Sequence, residues 1–164
     1  MKALFIGGIK SGKSLNAQNY ILKHSNSKPI YLATTEFIDD EMQLKIKEHQ
    51  ENRKDDFITL EEPLKLYDAI SKKQEAVLVE CVSMWINNML YHNFTFEDMQ
   101  DELKNLFTLQ NNIVFVINDV SNSVVSANKL TREFVNISGK LSQYIASECD
   151  EVYNTVAGIS IKIK

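Results

Sequence analysis

The sequence predicts an α/β fold: a mostly parallel sheet flanked by helices and finished by a C-terminal antiparallel edge strand or hairpin. Three observations predict it. Apolar runs of strand length (Ala3–Ile6, Pro29–Ala33, Phe57–Leu60, Ala76–Glu80, Ile113–Ile117) alternate with segments whose apolar residues recur at helical spacing. Between the first run and the first such segment lies Gly7-Gly8-Ile9-Lys10-Ser11-Gly12-Lys13-Ser14, a complete match to GxxxxGK(S/T). Near the end, Ile159, Ile161 and Ile163 alternate with Ser160, Lys162 and Lys164 after a turn at Gly158. The strand, glycine loop and helix in that order specify a P-loop NTPase-like, RecA-like fold, with residues 1–164 as one nucleotide-binding domain.

The glycine stretch carries the first chemical expectation. A phosphate chain needs a loop without bulky Cβ groups, so that successive backbone N–H groups converge on it, and it gains from the positive end of a helix dipole. Gly7, Gly8, Ile9, Lys10, Ser11, Gly12, Lys13 and Ser14 are therefore the expected nucleotide cradle, with Lys13 reaching the β/γ-phosphates and Ser14 holding Mg²⁺.

Composition narrows the class. The 164 residues are 44% hydrophobic, enough for one core, and the net charge of -4 argues against a nucleic-acid surface, which needs a concentrated basic face. Cys81 and Cys149 form no CxxC and no paired framework, so they read as reduced, buried thiols and no zinc site is expected. The apolar run before Gly7 is too short for a signal sequence or a membrane span. A soluble cytoplasmic protein is expected.

In chain order, Leu15 to Lys23 carries Ala17, Tyr20 and Ile21 on a helix. The second strand ends in Thr34-Thr35, hydroxyls at the carboxyl end of a strand, where open α/β sheets bind ligands. Asp39-Asp40-Glu41 is an acidic helix start, and Met42, Ile46, His49 and Arg53 follow at spacings of 4, 3 and 4, one face of that helix. Pro63 suits the first turn of a helix carrying Leu64, Tyr67 and Ile70. Ala76–Glu80 reads as a central parallel strand whose terminal acid can meet a Mg²⁺ shell, although a strand-end glutamate alone is also compatible with an ordinary surface residue. Ser83–Leu90 is a short helix with Trp85 and Met84 as core or subunit-contact residues, and Thr95 caps a helix burying Met99, Leu103 and Leu106. Asp119–Asn128 is a polar loop, after which Leu130, Phe134, Ile137, Leu141 and Ile145 keep helical spacing through Gly139, where close packing is expected.

This ordered series resembles the bifunctional adenosylcobinamide kinase / adenosylcobinamide-phosphate guanylyltransferase family of cobalamin synthesis. The resemblance rests on the glycine loop, Tyr31-Leu32-Ala33-Thr34, Asp40-Glu41-Met42, Ile46-x-x-His49 with Arg53, and Glu61-Glu62-Pro63. It continues through Val79-Glu80-Cys81 with Trp85, Asn88 and Leu90, then Leu130-Thr131-Arg132-Glu133-Phe134, Gly139 and Ala157-Gly158. The family implies two reactions at one nucleotide site. The hydroxyl of adenosylcobinamide is phosphorylated from ATP or GTP; GTP then gives GMP to an enzyme histidine, and adenosylcobinamide phosphate takes the GMP. By the resemblance His49 is that histidine and Lys13 the second catalytic residue; Ala33, Thr34, Thr35, Gln50, Glu51, Asn52, Arg53 and Glu61 fall in nucleotide-contacting regions, and Glu80 is the strand-end acid that joins Ser14 at Mg²⁺. A neutral imidazole near its ordinary pKa of about 6.5 has the lone pair such a transfer needs, and Arg53, one helical turn on, is placed to neutralise phosphate charge. A homo-oligomer, a trimer, is also implied.

Departures from the family pattern fall in Asn118-Asp119-Val120-Ser121 and Ser123-Val124-Val125-Ser126, where two glycines and a proline are missing, and in Ser142-Gln143. The corrinoid-facing loop is therefore expected to be reshaped. Two other readings stay open on the residues alone: a P-loop small-molecule kinase without guanylyl transfer, and a non-catalytic nucleotide-binding module. His49 as a plain exposed helix histidine belongs with both.

Overall fold

The structure, a computed structural model, describes residues 1–36, 55–120 and 125–164. Its strands are β1 (Lys2–Gly7), β2 (Ile30–Ala33), β3 (Ile58–Glu61), β4 (Val77–Glu80), β5 (Ile113–Asn118), β6 (Glu151–Val156) and β7 (Ile159–Lys162). They form one sheet in the order β3-β2-β4-β5-β1-β6-β7. The first six run parallel and β7 turns back antiparallel on β6, so the expected edge hairpin is present. The parallel register brings Gly7, Ala33, Glu61, Glu80 and Asn118 to one edge of the sheet, and the chemistry-bearing residues collect there.

Side chains in a strand alternate between faces, and each face here has its own core. On one face Leu4, Leu32, Val77, Val79, Phe115 and Ile117 pack under four helices: α2 (Leu66–Ile70), α3 (Val82–Tyr91), α4 (Phe96–Thr108) and α5 (Lys129–Glu148). On the other, Ala3, Phe5, Leu78, Val114 and Val116 pack against Ala17 and Ile21 of α1 (Lys13–Lys23), with Phe57 beside Tyr31. The central strands are thus apolar at successive positions because both faces are covered.

Trp85 is fully buried and its indole N–H donates to Leu64 O at 2.9 Å, which makes it a core residue and closes the subunit-contact option. α4 begins with a capping box: Asp98 N–H donates to Thr95 Oγ1 while Thr95 N–H donates to the Asp98 carboxylate.

Two local expectations need correction. Pro63 does not enter a first helical turn, since α2 begins at Leu66; Glu62 instead folds its carboxylate over the Leu64 and Lys65 N–H groups at 2.9 Å each and holds a turn ahead of the helix. Gly139 is not closely packed: a Cβ there meets nothing within 4 Å, so no neighbouring backbone demands glycine. Along α5 the periodic stripe also serves two surfaces. Leu141 and Ile145 enter the core, whereas Leu130 at the N-terminal end is 73% exposed.

Candidate active site

Neighbouring backbone shapes the glycine loop. Gly7 is in register with Asn118 on one side and Thr155 on the other, and a Cβ on it would lie 2.5 Å from the Thr155 carbonyl oxygen. Asp119 N–H donates to Gly7 O and Ser11 N–H to Gly8 O, turning the chain back toward α1. Gly12 then takes φ 92°, a left-handed conformation that L side chains rarely adopt, and a Cβ on it would come 2.9 Å from Gly158 Cα. Gly12 caps α1 with no side-chain hydrogen bond, which leaves the first-turn N–H groups for an anion.

The β6–β7 turn supports this loop from behind. Ala157 and Gly158 both have positive φ, as a two-residue hairpin turn following the right-handed strand twist requires. Gly158 N–H donates to Ser11 O at 2.7 Å. Asn16 Nδ2 donates to Gly158 O at 2.9 Å and to Ser160 Oγ at 2.8 Å, and Ser160 shares a 2.8 Å hydrogen bond with Thr155. Asn16 and Thr155 are supports that sequence reasoning missed; Gly158 was visible as a turn and as part of the family resemblance, without its bond to Ser11.

Lys13 is buried and its Nζ donates back to Gly8 O at 3.2 Å, inside the loop it follows. Ser14 Oγ donates to Glu80 Oε1 at 2.8 Å, so helix α1 brings the motif serine to the acid at the end of β4, two strands away. Among the described residues no three His, Cys, Asp or Glu side chains gather to hold a metal. A hydroxyl and one carboxylate are the oxygen donors a hard cation accepts when phosphates and water supply the rest.

Thr34 and Cys81 interlock beside Glu80. Cys81 N–H donates to Thr34 Oγ1 at 3.0 Å, and that hydroxyl donates to Cys81 O at 2.9 Å. Asn88, buried on α3, donates from Nδ2 to Thr34 O at 2.6 Å and to Pro63 O at 3.1 Å. The Thr34 hydroxyl is therefore spent on shaping the strand ends, with Thr35 half-buried next to it. Burial first, and then the Glu80 charge, push the Cys81 thiol up to about 11, and burial pushes Cys149 up to about 12. Both stay protonated at neutral pH, as expected of small packed hydrophobes.

A scan against family models matches residues 3–163 to the family described as cobinamide kinase / cobinamide phosphate guanyltransferase. The chain belongs to this family. Full-length relatives agree: the bifunctional adenosylcobalamin biosynthesis protein CobP of Pseudomonas aeruginosa is 34% identical, with 100% of this chain and 98% of that protein aligned. The corresponding CobU of Escherichia coli (strain K12) is 31% identical over the whole of both chains. The flagellar accessory protein FlaH of Methanocaldococcus jannaschii, a solved structure, superposes at TM-score 0.52 with 10% identity over 98% of this chain and 75% of that one, a likeness of fold alone.

In this cobinamide kinase / guanylyltransferase chain, the loop Gly7–Ser14 and Glu80 come together, with Ala33 beside Glu80 in register. Glu61 pairs with Ala33 from the outer strand β3, four strand spacings from β1, about 19 Å at 4.8 Å per strand. The sheet does not bring it to the glycine loop. His49, Gln50, Glu51, Asn52 and Arg53 lie outside the described residues, as does the Met42/Ile46 part of their stripe.

Proposed function

We propose that both family activities, cobinamide kinase and cobinamide-phosphate guanylyltransferase, use the one triphosphate site at the glycine loop, with ATP or GTP serving the first and GTP the second. The observation that carries this is the loop itself, with Ser14 within 2.8 Å of Glu80 and the buried Lys13 ammonium turned into it. In the first transfer the hydroxyl of adenosylcobinamide attacks the γ-phosphorus; a P–O bond forms and the bond to the bridging oxygen breaks, releasing the nucleoside diphosphate. In the second, a ring nitrogen of His49 attacks the α-phosphorus of GTP, a P–N bond forms and pyrophosphate leaves. An oxygen of adenosylcobinamide phosphate then displaces the imidazole, giving the GDP-linked corrinoid and restoring the neutral ring. Lys13 and the α1 first-turn N–H groups stabilise charge on the triphosphate in both steps.

Mg²⁺ fits this site: Ser14 and Glu80 would hold it, and it would neutralise charge along the triphosphate. Thr35 and Arg53 contribute to the nucleotide, Thr34 positions the strand end that carries Thr35, and a homotrimer, measurable by sedimentation equilibrium, belongs to the same reading.

Incubation with α-labelled GTP tests it. An acid-labile label on His49 is expected, with His49→Ala losing the label and the GDP-linked product while still phosphorylating adenosylcobinamide. A His49→Ala protein that forms the GDP-linked corrinoid at the normal rate removes His49 as nucleophile.

A further inference from the structure

A cleft of about 1070 Å³ opens between α3 and the N-terminal half of α5, next to the glycine loop. It lies at the upper end of small-molecule sites, which run from about 300 to about 1000 Å³. Ile9 of the loop and Asn118 at the end of β5 form its inner wall, and the Asn118 N–H donates to Ser83 Oγ, a further lining residue. Since Gly7 and Asn118 are register partners, the cleft and the phosphate loop share one sheet edge.

Its chemistry is distinctive. Aromatic and aliphatic side chains make most of the wall, Phe134 and Leu130 among them, and they are interleaved with the carboxamides of Asn87, Asn93 and Asn118. Among the described residues the lining contains no Lys, Arg or His, and its one charged side chain is the carboxylate of Glu133. Such a surface is poorly suited to phosphate, which needs cationic or N–H partners. It suits a large ligand with an apolar face, neutral amide arms and a positive charge. Ile9 is 83% exposed, Leu130 73% and Tyr91 66%, so the fold leaves around this cleft apolar side chains that packing does not use.

We propose that this cleft is the acceptor site, holding the corrin macrocycle of adenosylcobinamide with its hydroxyl arm directed past Ile9 toward the triphosphate; the assignment rests on the two-transfer reading above. The ring's flat apolar face lies on the Phe134 side, its carboxamides exchange hydrogen bonds with Asn87 and Asn118, and Glu133 faces the cationic centre. The arm alone enters the phosphate site, so one seat serves the alcohol and then its phosphate without the macrocycle being released. Val120, two residues after Asn118, also lines this seat.

Asn87 is exposed on α3 and Leu130 exposed on α5, so substitutions there leave the core intact. Asn87→Trp fills the cleft and Leu130→Lys places a cation in it. Each is expected to raise KM for adenosylcobinamide in the kinase assay by about tenfold or more, the ratio that a lost contact of about 1.4 kcal/mol gives. GTP affinity and the thermal midpoint are expected to match the wild type. If both variants keep KM for adenosylcobinamide within about twofold of wild type, or lose GTP binding in parallel, the cleft is not the acceptor seat, and the two-transfer reading survives. Wild-type protein that binds GTP yet neither binds nor phosphorylates adenosylcobinamide overturns that reading and the proposal together.

Discussion

Gly12→Ala probes the loop most directly. At φ 92° an alanine bears the left-handed penalty, roughly 1–2 kcal/mol. Its Cβ would also sit 2.9 Å from Gly158 Cα, backbone that cannot swing aside as a side chain would. Relief requires the hairpin turn to retreat, stretching the 2.7 Å bond from Gly158 N–H to Ser11 O, worth about 1 kcal/mol. The expected loss is about 2–3 kcal/mol in urea unfolding at unchanged m-value, or about 5–10 °C in the thermal midpoint for a chain of this length. GTP binding should weaken with it. Gly158→Ala is the internal reference: φ is 82° there, but a Cβ meets nothing within 4 Å, so only the conformational penalty applies. If Gly12→Ala costs no more than Gly158→Ala, the collision argument fails.

Other outcomes follow from the same contacts. Thr34→Val leaves both Cys81 backbone groups without the hydroxyl that bonds them, and should cost about 1–3 kcal/mol in urea titration while GTP affinity falls less than in Gly12→Ala. Lys13→Ala should abolish both activities with far-UV circular dichroism unchanged, and retention of either transfer at the normal rate would argue against a shared triphosphate site. Hydrogen bonds from Lys162, Tyr20 and Tyr153 hold the Glu151 carboxyl down at about 2, below its ordinary value of about 4.3. A depressed carboxyl contributes stability that is present above its unfolded pKa and lost as pH falls through its folded one. Wild type should therefore exceed Glu151→Gln in melting temperature at pH 6, with the gap closing between about pH 4.3 and 2; a constant gap would mean that the charge is irrelevant.

Most of the sheet was legible because a strand covered on both faces admits almost only apolar residues, as in Val77–Val79 and Ile113–Ile117. The loop was legible because a Cβ on Gly7 or Gly12 would meet backbone at 2.5 or 2.9 Å, which makes the motif a steric requirement. Period alone could not divide α5: Leu130 and Leu141 share one stripe, yet only the second meets the sheet, since the first lies where the helix overhangs the cleft. Gly139 misled for a related reason, because a helix interior glycine can be tolerated as well as required. Thr34 was placed at the right strand end, but its bonding to Cys81, 47 residues away, depends on the pairing of β2 with β4 and left no local signal. Asn88 is similar: an amide on an otherwise apolar helix face marks a buried hydrogen bond without naming its partners.

The clamp of Ser11 by Gly158 joins positions nearly a whole chain apart. During vectorial synthesis β1 and α1 emerge first, yet the turn that braces them follows only after β2 to β6 have been made. A nascent chain stalled before residue 158 would thus carry every residue of the phosphate motif and still lack the wall that gives it shape. Emergence of the β6–β7 turn, rather than translation of the motif, is then the moment at which this protein first becomes able to grip a triphosphate.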